Sequence, residues 1–276
     1  MRWQQGRRST NVEDRRGMGP MLLGGGGIGA VIIAVLFVLL GGDPNAVIPT
    51  EQPAASTTAP ANDEMSQFVS AVLADTEDTW RQLYPRNFGG DYTEPRLVLF
   101  TGAAQSACGF AQAAMGPFYC PLDQKVYIDL SFYEDLRNRF SAEGDFAQAY
   151  VIAHEVGHHV QTLAGISQEV HDLRARTGGR QANELSVRQE LQADCFAGVW
   201  ANHADRTRAM LEPGDLDEAL NAASAIGDDR LQRSQQGYVT PDSFTHGSSA
   251  QRVEWFQRGF RSGDVKSCNT FETSSL

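Results

Sequence analysis

The sequence lacks most of the groups that open common routes to function. Only four cysteines occur, Cys108, Cys120, Cys195 and Cys268, and no two of them form C-x-x-C. That spacing excludes a zinc site or a dithiol redox motif built on cysteine pairs. Excess positive charge is missing too. The net charge is −11, and an acidic body offers no basic face to a nucleic acid. Neither a serine–histidine–aspartate nor a nucleophilic-cysteine arrangement is present. The run Gly24–Gly27 lies inside an apolar stretch, not between a strand and a helix, so it makes no phosphate-binding loop. Nothing resembles a glycan-binding repeat, which disfavours a peptidoglycan amidase.

Charge of either sign is absent from Gly17 to Gly42, and Met21–Leu40 is apolar or glycine throughout. Twenty helical residues span about 30 Å, the thickness of a bilayer core. Arg2, Arg7, Arg8, Arg15 and Arg16 precede this stretch, so the positive-inside rule puts the amino terminus in the cytoplasm. No small-x-small cleavage site follows at Gly41-Gly42-Asp43-Pro44, and the stretch reads as an uncleaved anchor. The expected organisation is a basic cytoplasmic segment over 1–20, a transmembrane helix over 21–41 and a flexible linker over 42–62. The linker is rich in proline, alanine, threonine and serine. One folded domain over 63–276 follows, outside the cytoplasm. It is expected to be α+β and mostly helical, with a small sheet.

The chemistry gathers around His154-Glu155-Val156-Gly157-His158, an H-E-x-x-H pattern in a helical run, Phe146–Leu163. At about 3.6 residues per turn His154 and His158 share one face and can hold a zinc ion together. Glu155 sits on the shoulder of that face, where it can reach a water without binding the metal. Catalytic zinc usually takes three protein ligands, so a third is expected on another element. Glu190 and Asp194 lie four apart on a second helix, Gln181–Asp205, among Leu191, Ala193, Phe196, Ala197 and Val199. A buried carboxylate pair needs a cation or donors. One carboxylate can bind zinc, and the other can accept a ring N–H of a zinc histidine.

H-E-x-x-H followed by E-x-x-x-D resembles the Glu-zincin metallopeptidases. HEVGHHVQ with ELQADCFAG, after a glycine-rich membrane segment, is similar to a bacterial family of membrane-anchored neutral zinc metallopeptidases. The likeness runs from Met1-Arg2-Trp3-Gln4 to Trp255-Phe256. It implies a zincin-like domain with His154, His158 and Glu190 as zinc ligands, Glu155 as catalytic base and Asp194 orienting a ligand from behind. It also implies hydrolysis of peptide bonds in proteins or peptides, zinc as cofactor, and a single-pass protein of the inner membrane with its catalytic domain outside. His246 and Arg252 resemble a downstream histidine and arginine that approach the substrate carbonyl. Glycine rather than the usual proline follows His246, which leaves a structural loop histidine as the rival reading, while Arg252 can simply bridge helices. The alternative for the whole chain is a non-proteolytic assembly or quality-control factor with a retained zinc site.

Elsewhere, spacings of three and four from Met65 to Trp80 predict an amphipathic helix. Leu97–Phe100 and Val126–Leu130 read as strands. The second is either an ordinary half-buried strand or, by the same resemblance, the edge that pairs with substrate. Leu173–Arg180 reads as a connection and Asp215–Arg233 as a third helix. Asp228 and Asp229 read as polar surface or capping groups. His159 falls off the ligand face, and His171 and His203 read as surface. In an oxidising compartment Cys108–Cys120 is the local disulfide, leaving Cys195–Cys268.

Overall fold

The computed structural model describes residues 1–17, 63–112 and 116–272. In chain order come strand β1 (Val12–Asp14), helix α1 (Glu64–Asn87), and strands β2 (Arg96–Phe100), β3 (Ala103–Ser106), β4 (Gly109–Gln112), β5 (Phe118–Cys120) and β6 (Lys125–Asp129). Helices α2 (Ser131–Asn138), α3 (Asp145–Leu163), α4 (Ile166–Arg176), α5 (Gly179–Arg208), α6 (Asp215–Ala225), α7 (Asp228–Gln236) and α8 (Ser249–Ser262) complete the chain. One sheet has the order β1-β2-β6-β5, and β3 with β4 forms a separate hairpin. β1, β2 and β6 are parallel, and β5 runs antiparallel to β6. The mostly helical α+β class matches the sequence.

Helix α3 is the central element because its sequence is apolar on nearly every side. Phe146, Ile152, Val156 and Val160 are all inaccessible to solvent, and a helix apolar all round belongs in a core. It packs against α5, α6 and α1, with β5 and β6 beside it. Its first turn has no cap of its own at Gly144; instead Glu218 of α6 accepts the Phe146 N–H at 3.0 Å.

Two close helix crossings set the site. A Cβ on Gly157 of α3 would lie 3.0 Å from the Ala193 carbonyl of α5, so glycine lets these backbones approach without a tight contact. Between α5 and α8 the approach is tighter: a Cβ on Gly198 would lie 2.1 Å from the Phe256 carbonyl, and one on Gly259 2.0 Å from that of Cys195. Helix α8 begins in a capping box, with Ser248 and Gln251 exchanging side-chain and backbone bonds. Cys195 and Cys268 are joined, as are Cys108 and Cys120, as the sequence suggested.

Several expectations need correction. The basic segment 1–20 was set apart from the folded domain, yet residues 1–16 are built into it. Met1 and Trp3 are buried in the main core, Trp3 edge-on to Phe68 at 5.6 Å. β1 extends the sheet. The buried carboxylate of Glu77 accepts from Arg7, Ser9 and Asn11. The expected transmembrane helix over 21–41 and linker over 42–62 lie outside the described residues. Among the described residues no helix is long and apolar enough to cross a membrane. The connection over Leu173–Arg180 is mostly helical: Leu173–Arg176 end α4, whose inner side carries Ile166 and Val170, and Gly179 and Arg180 begin α5. The expected third helix is two helices, α6 and α7, broken at Gly227, where a Cβ would lie 2.4 Å from the Ser249 nitrogen.

Candidate metal centre

His154 and His158 stand one turn apart on α3, with ring centroids 4.8 Å apart and planes at 87°. Across the Gly157 crossing, α5 presents Glu190. Its Oε2 lies 3.2 Å from His154 Nε2, and its Oε1 3.4 Å from His158 Nε2. One ligand atom from each of the three residues falls within 4.8 Å of the others. The structure thus brings together the three residues the sequence proposed as ligands.

The back of each imidazole is held. His154 Nδ1 lies 2.8 Å from Asp194 Oδ1, and an ionised carboxylate can only accept, so Nδ1 carries a proton. His158 Nδ1 lies 2.9 Å from Gln161 Oε1. The Gln161 amide nitrogen donates to the Gln189 carbonyl at 2.7 Å and to Gln192 Oε1 at 3.0 Å, which turns its oxygen toward His158. With both rings neutral, each Nε2 directs a lone pair at a Glu190 oxygen. Acceptor faces acceptor, and only a cation or protons can stand between them. Charge points the same way. Glu155 and Asp194 are buried and Glu190 partly so, against the single buried guanidinium of Arg252. With the rings neutral and all three carboxyl groups ionised, two negative charges stand uncompensated unless a cation or protons join them. Burial works to lower the His154 pKa, yet Asp194 and Glu190 outweigh it and push it up to about 10. Two imidazole nitrogens and a carboxylate oxygen form a donor set that suits zinc with one position open. The residues present fit that ion.

Asp194 is the hub behind the three candidate ligands. It is fully buried and accepts from Tyr150 Oη at 2.5 Å, from Arg252 Nε at 2.9 Å on one oxygen and from Arg252 Nη2 at 2.9 Å on the other. Burial alone would raise this carboxyl's pKa, but Arg252 and His154 hold it below the usual range. Arg252 therefore bridges α8 to α5, as one of its two sequence readings had it. Glu155 is buried beside the candidate ligands, and desolvation raises its pKa against the pull of His154 and His158.

The three ligand candidates lie where two cavities meet. One, about 470 Å³, is walled by Phe132, Phe140, Val151, Glu155 and Ile226; the other, about 780 Å³, by Leu122, Gln168, His171 and Arg174. Tyr119, His158, Glu190 and His246 line both. His246 is therefore at the site. Its Nδ1 lies 3.2 Å from Asp228 Oδ1, while Asp228 Oδ2 accepts the backbone N–H groups of Thr245, His246 and Gly247. The bond from Asp228 raises the His246 pKa. Asp228 had been read as surface or cap; it shapes the loop that carries His246.

Of the two readings of Val126–Leu130, the fold shows the ordinary strand and not the edge. β6 lies between β2 and β5, so both of its sides are paired, and among the described residues β5 is the edge strand on that side of the sheet, with β1 at the other. β5 is pinned to α3 through His159, which is fully buried. Its Nε2 donates to the Thr93 carbonyl at 2.6 Å and its Nδ1 accepts from Tyr119 Oη at 3.1 Å. Burial lowers its pKa to about 4, so the ring is neutral. His203, read as surface, is partly buried and reaches the Gly263 carbonyl at 2.9 Å; His171 is exposed.

A family model described as "Putative neutral zinc metallopeptidase" matches residues 1–271. The chain belongs to this family. It is 51% identical over 288 residues to "Uncharacterized protein YpfJ" of Escherichia coli K12, covering 99% of this chain and 100% of that one. It is 40% identical over 263 residues to "Uncharacterized protein Rv2575" of Mycobacterium tuberculosis H37Rv, covering 87% of this chain and 86% of that one. No solved structure matches. The family match includes residues 1–17, the segment that the fold also builds into the domain.

Proposed function

We propose that this chain is a zinc-dependent endopeptidase. The carrying observation is the convergence of His154 Nε2 and His158 Nε2 on the two Glu190 oxygens, beside a buried Glu155 that is not one of the three. His154, His158 and Glu190 would hold the metal. Zinc, when bound, supplies Lewis-acid polarisation of a carbonyl and acidifies a water. Glu155 takes a proton from the attacking water and returns it to the leaving nitrogen. Asp194 and Gln161 fix the two rings in the tautomer that leaves Nε2 free to bind, and Arg252 holds Asp194 in place. His246, turned by Asp228, donates to the oxygen that becomes negative as the carbonyl is attacked. β5 offers an extended substrate its unpaired edge, next to the ligands.

Two disulfides support an oxidising, extracytoplasmic compartment. The substrates are proteins or peptides there, and the apolar stretch over 21–40 associates the chain with the membrane. A non-proteolytic factor with a retained zinc site has no use for a base beside the ligands. The test is the metal content of the purified chain with its cleavage of a denatured protein mixture. Bound zinc, loss of cleavage on chelation and return on adding zinc are expected. Cleavage that survives full removal of metal contradicts the proposal.

A further inference from the structure

We propose that residues 1–16 and the folded domain over 63–272 lie on the same side of the membrane, so that the chain between them does not cross the bilayer once. The observation is where the apolar stretch departs and returns. Arg16 and Asp63 are 47 positions apart in sequence, yet Arg16 Nη1 lies 2.7 Å from Asp63 Oδ2. The Arg16 side chain is 8% exposed and also binds Asp14, while Asp63 caps the first turn of α1 through Ser66 N–H at 2.7 Å. A single crossing would hold these two residues apart by a hydrocarbon core of about 30 Å.

The contact is not isolated. β1 pairs with β2 in register from Val12↔Leu97 to Asp14↔Leu99, and the ladder continues as Arg15 N–H donates to the Leu99 carbonyl at 2.8 Å. Ser9 N–H donates to the Ser70 carbonyl at 3.0 Å. Trp3 fills the core beside Phe68. Residues 1–16 cannot keep these contacts from the far side of a membrane.

The same contacts remove the charge argument for a cytoplasmic amino terminus. Arg7 is committed to Glu77 and Asp78, Arg15 to Glu13, Arg16 to Asp14 and Asp63, and Arg2 to Glu212. Arg8 binds Gln67 and the carbonyls of Trp3 and Gly6. The positive-inside rule concerns loop charges that stay behind during insertion; here each arginine has its place in the fold. Nor does the sequence supply a second span. Residues 41–62 hold Asp43, Glu51 and the prolines Pro44, Pro49, Pro53 and Pro60, against about 20 apolar residues needed to cross. Attachment is therefore from one face, with the amino-terminal segment and the metal centre together.

The experiment is thiol labelling with a membrane-impermeant maleimide. Gln5 and Gln181 are exposed, and among the described residues no free cysteine competes. Gln5→Cys and Gln181→Cys are made separately in the full chain and labelled in intact spheroplasts and after lysis. The proposal expects the two to behave alike, both labelled before lysis or both only after it. Labelling of Gln181→Cys in intact spheroplasts, with Gln5→Cys protected until lysis, overturns it, as does the reverse. Thr10→Cys, also exposed on the amino-terminal segment, decides the matter if Gln5→Cys does not accumulate. The readout needs no activity, so it stands or falls apart from the peptidase proposal.

Discussion

Replacing Arg252 by methionine separates what holds the fold from what holds the metal. The Arg252 side chain is 3% exposed and makes two bonds of 2.9 Å to Asp194, which is fully buried. Removing one partner of such a pair leaves a buried charge without its counterion and costs about 3–5 kcal/mol. Folded domains have about 5–15 kcal/mol in total, so the loss is large but survivable. The metal responds differently. Arg252 opposes the negative charge at the site, so Arg252→Met keeps its zinc. The double variant Asp194→Leu, Arg252→Met leaves neither charge unpaired. It should recover about 0.5–3 kcal/mol relative to the sum of the single losses. It should still bind zinc about 10–100-fold more weakly than wild type, because His154 Nδ1 has lost its acceptor. Guanidinium unfolding of the metal-free chains gives the stabilities, since bound zinc would add to them; competition with a chelator gives the affinities. If Arg252→Met unfolds at the wild-type midpoint, the buried pair is not as described. If the double variant binds zinc like wild type, Asp194 does not orient His154.

Other outcomes follow from single contacts. Gln161→Leu removes the group behind His158 and should weaken zinc about 10–100-fold; unchanged affinity in a chelator titration would show that the ring needs no support there. Asp228→Asn should lower kcat by roughly 10–100-fold through a misdirected His246, with zinc content unchanged, since the bond it alters lies outside the ligand set. His159 links pH to stability. The unfolded chain protonates this ring near its ordinary 6.5 and the folded chain only near 4, so between those values the unfolded state binds more protons. Stability is complete above about 6.5 and falls toward 4, by on the order of 3 kcal/mol in all. His159→Gln should flatten that slope in denaturation midpoints taken between pH 7 and pH 4.5; a slope identical to wild type assigns the effect to another group.

Groups whose geometry is local to one helix were legible in the sequence. H-E-x-x-H fixes two rings on one face, and E-x-x-x-D fixes two carboxylates. The helical period alone put His154, Glu155, His158, Glu190 and Asp194 in usable directions. It left open which carboxylate faces the rings, because that depends on how α3 crosses α5 at Gly157. Groups recruited over long separations were not legible. Gln161 looked like one more polar residue of the helix, and its role depends on Gln189 and Gln192 across the crossing. Tyr150 looked like packing, and its hydroxyl reaches an aspartate 44 positions away. Asp228 looked like a cap because the loop it holds lies 17 to 19 positions downstream. The strand that does lie at the edge, β5, was not legible because it is only three residues long. The packing of the amino-terminal arginines was not legible either. Beside an apolar stretch they read as a membrane signal, and their partners Asp63, Glu77 and Asp78 lie far along the chain.

The most direct test of the peptidase reading is Glu155→Gln, with zinc content and peptide-bond cleavage measured on the same preparation. Glu155 is buried beside the proposed ligands but is not one of the three groups that converge. The amide fills the same space and cannot take a proton. The account predicts one zinc per chain, as in the wild type, and no cleavage above a chelated control. Zinc loss in this variant would make Glu155 a ligand, and full cleavage would place the base elsewhere; either result contradicts the assignment.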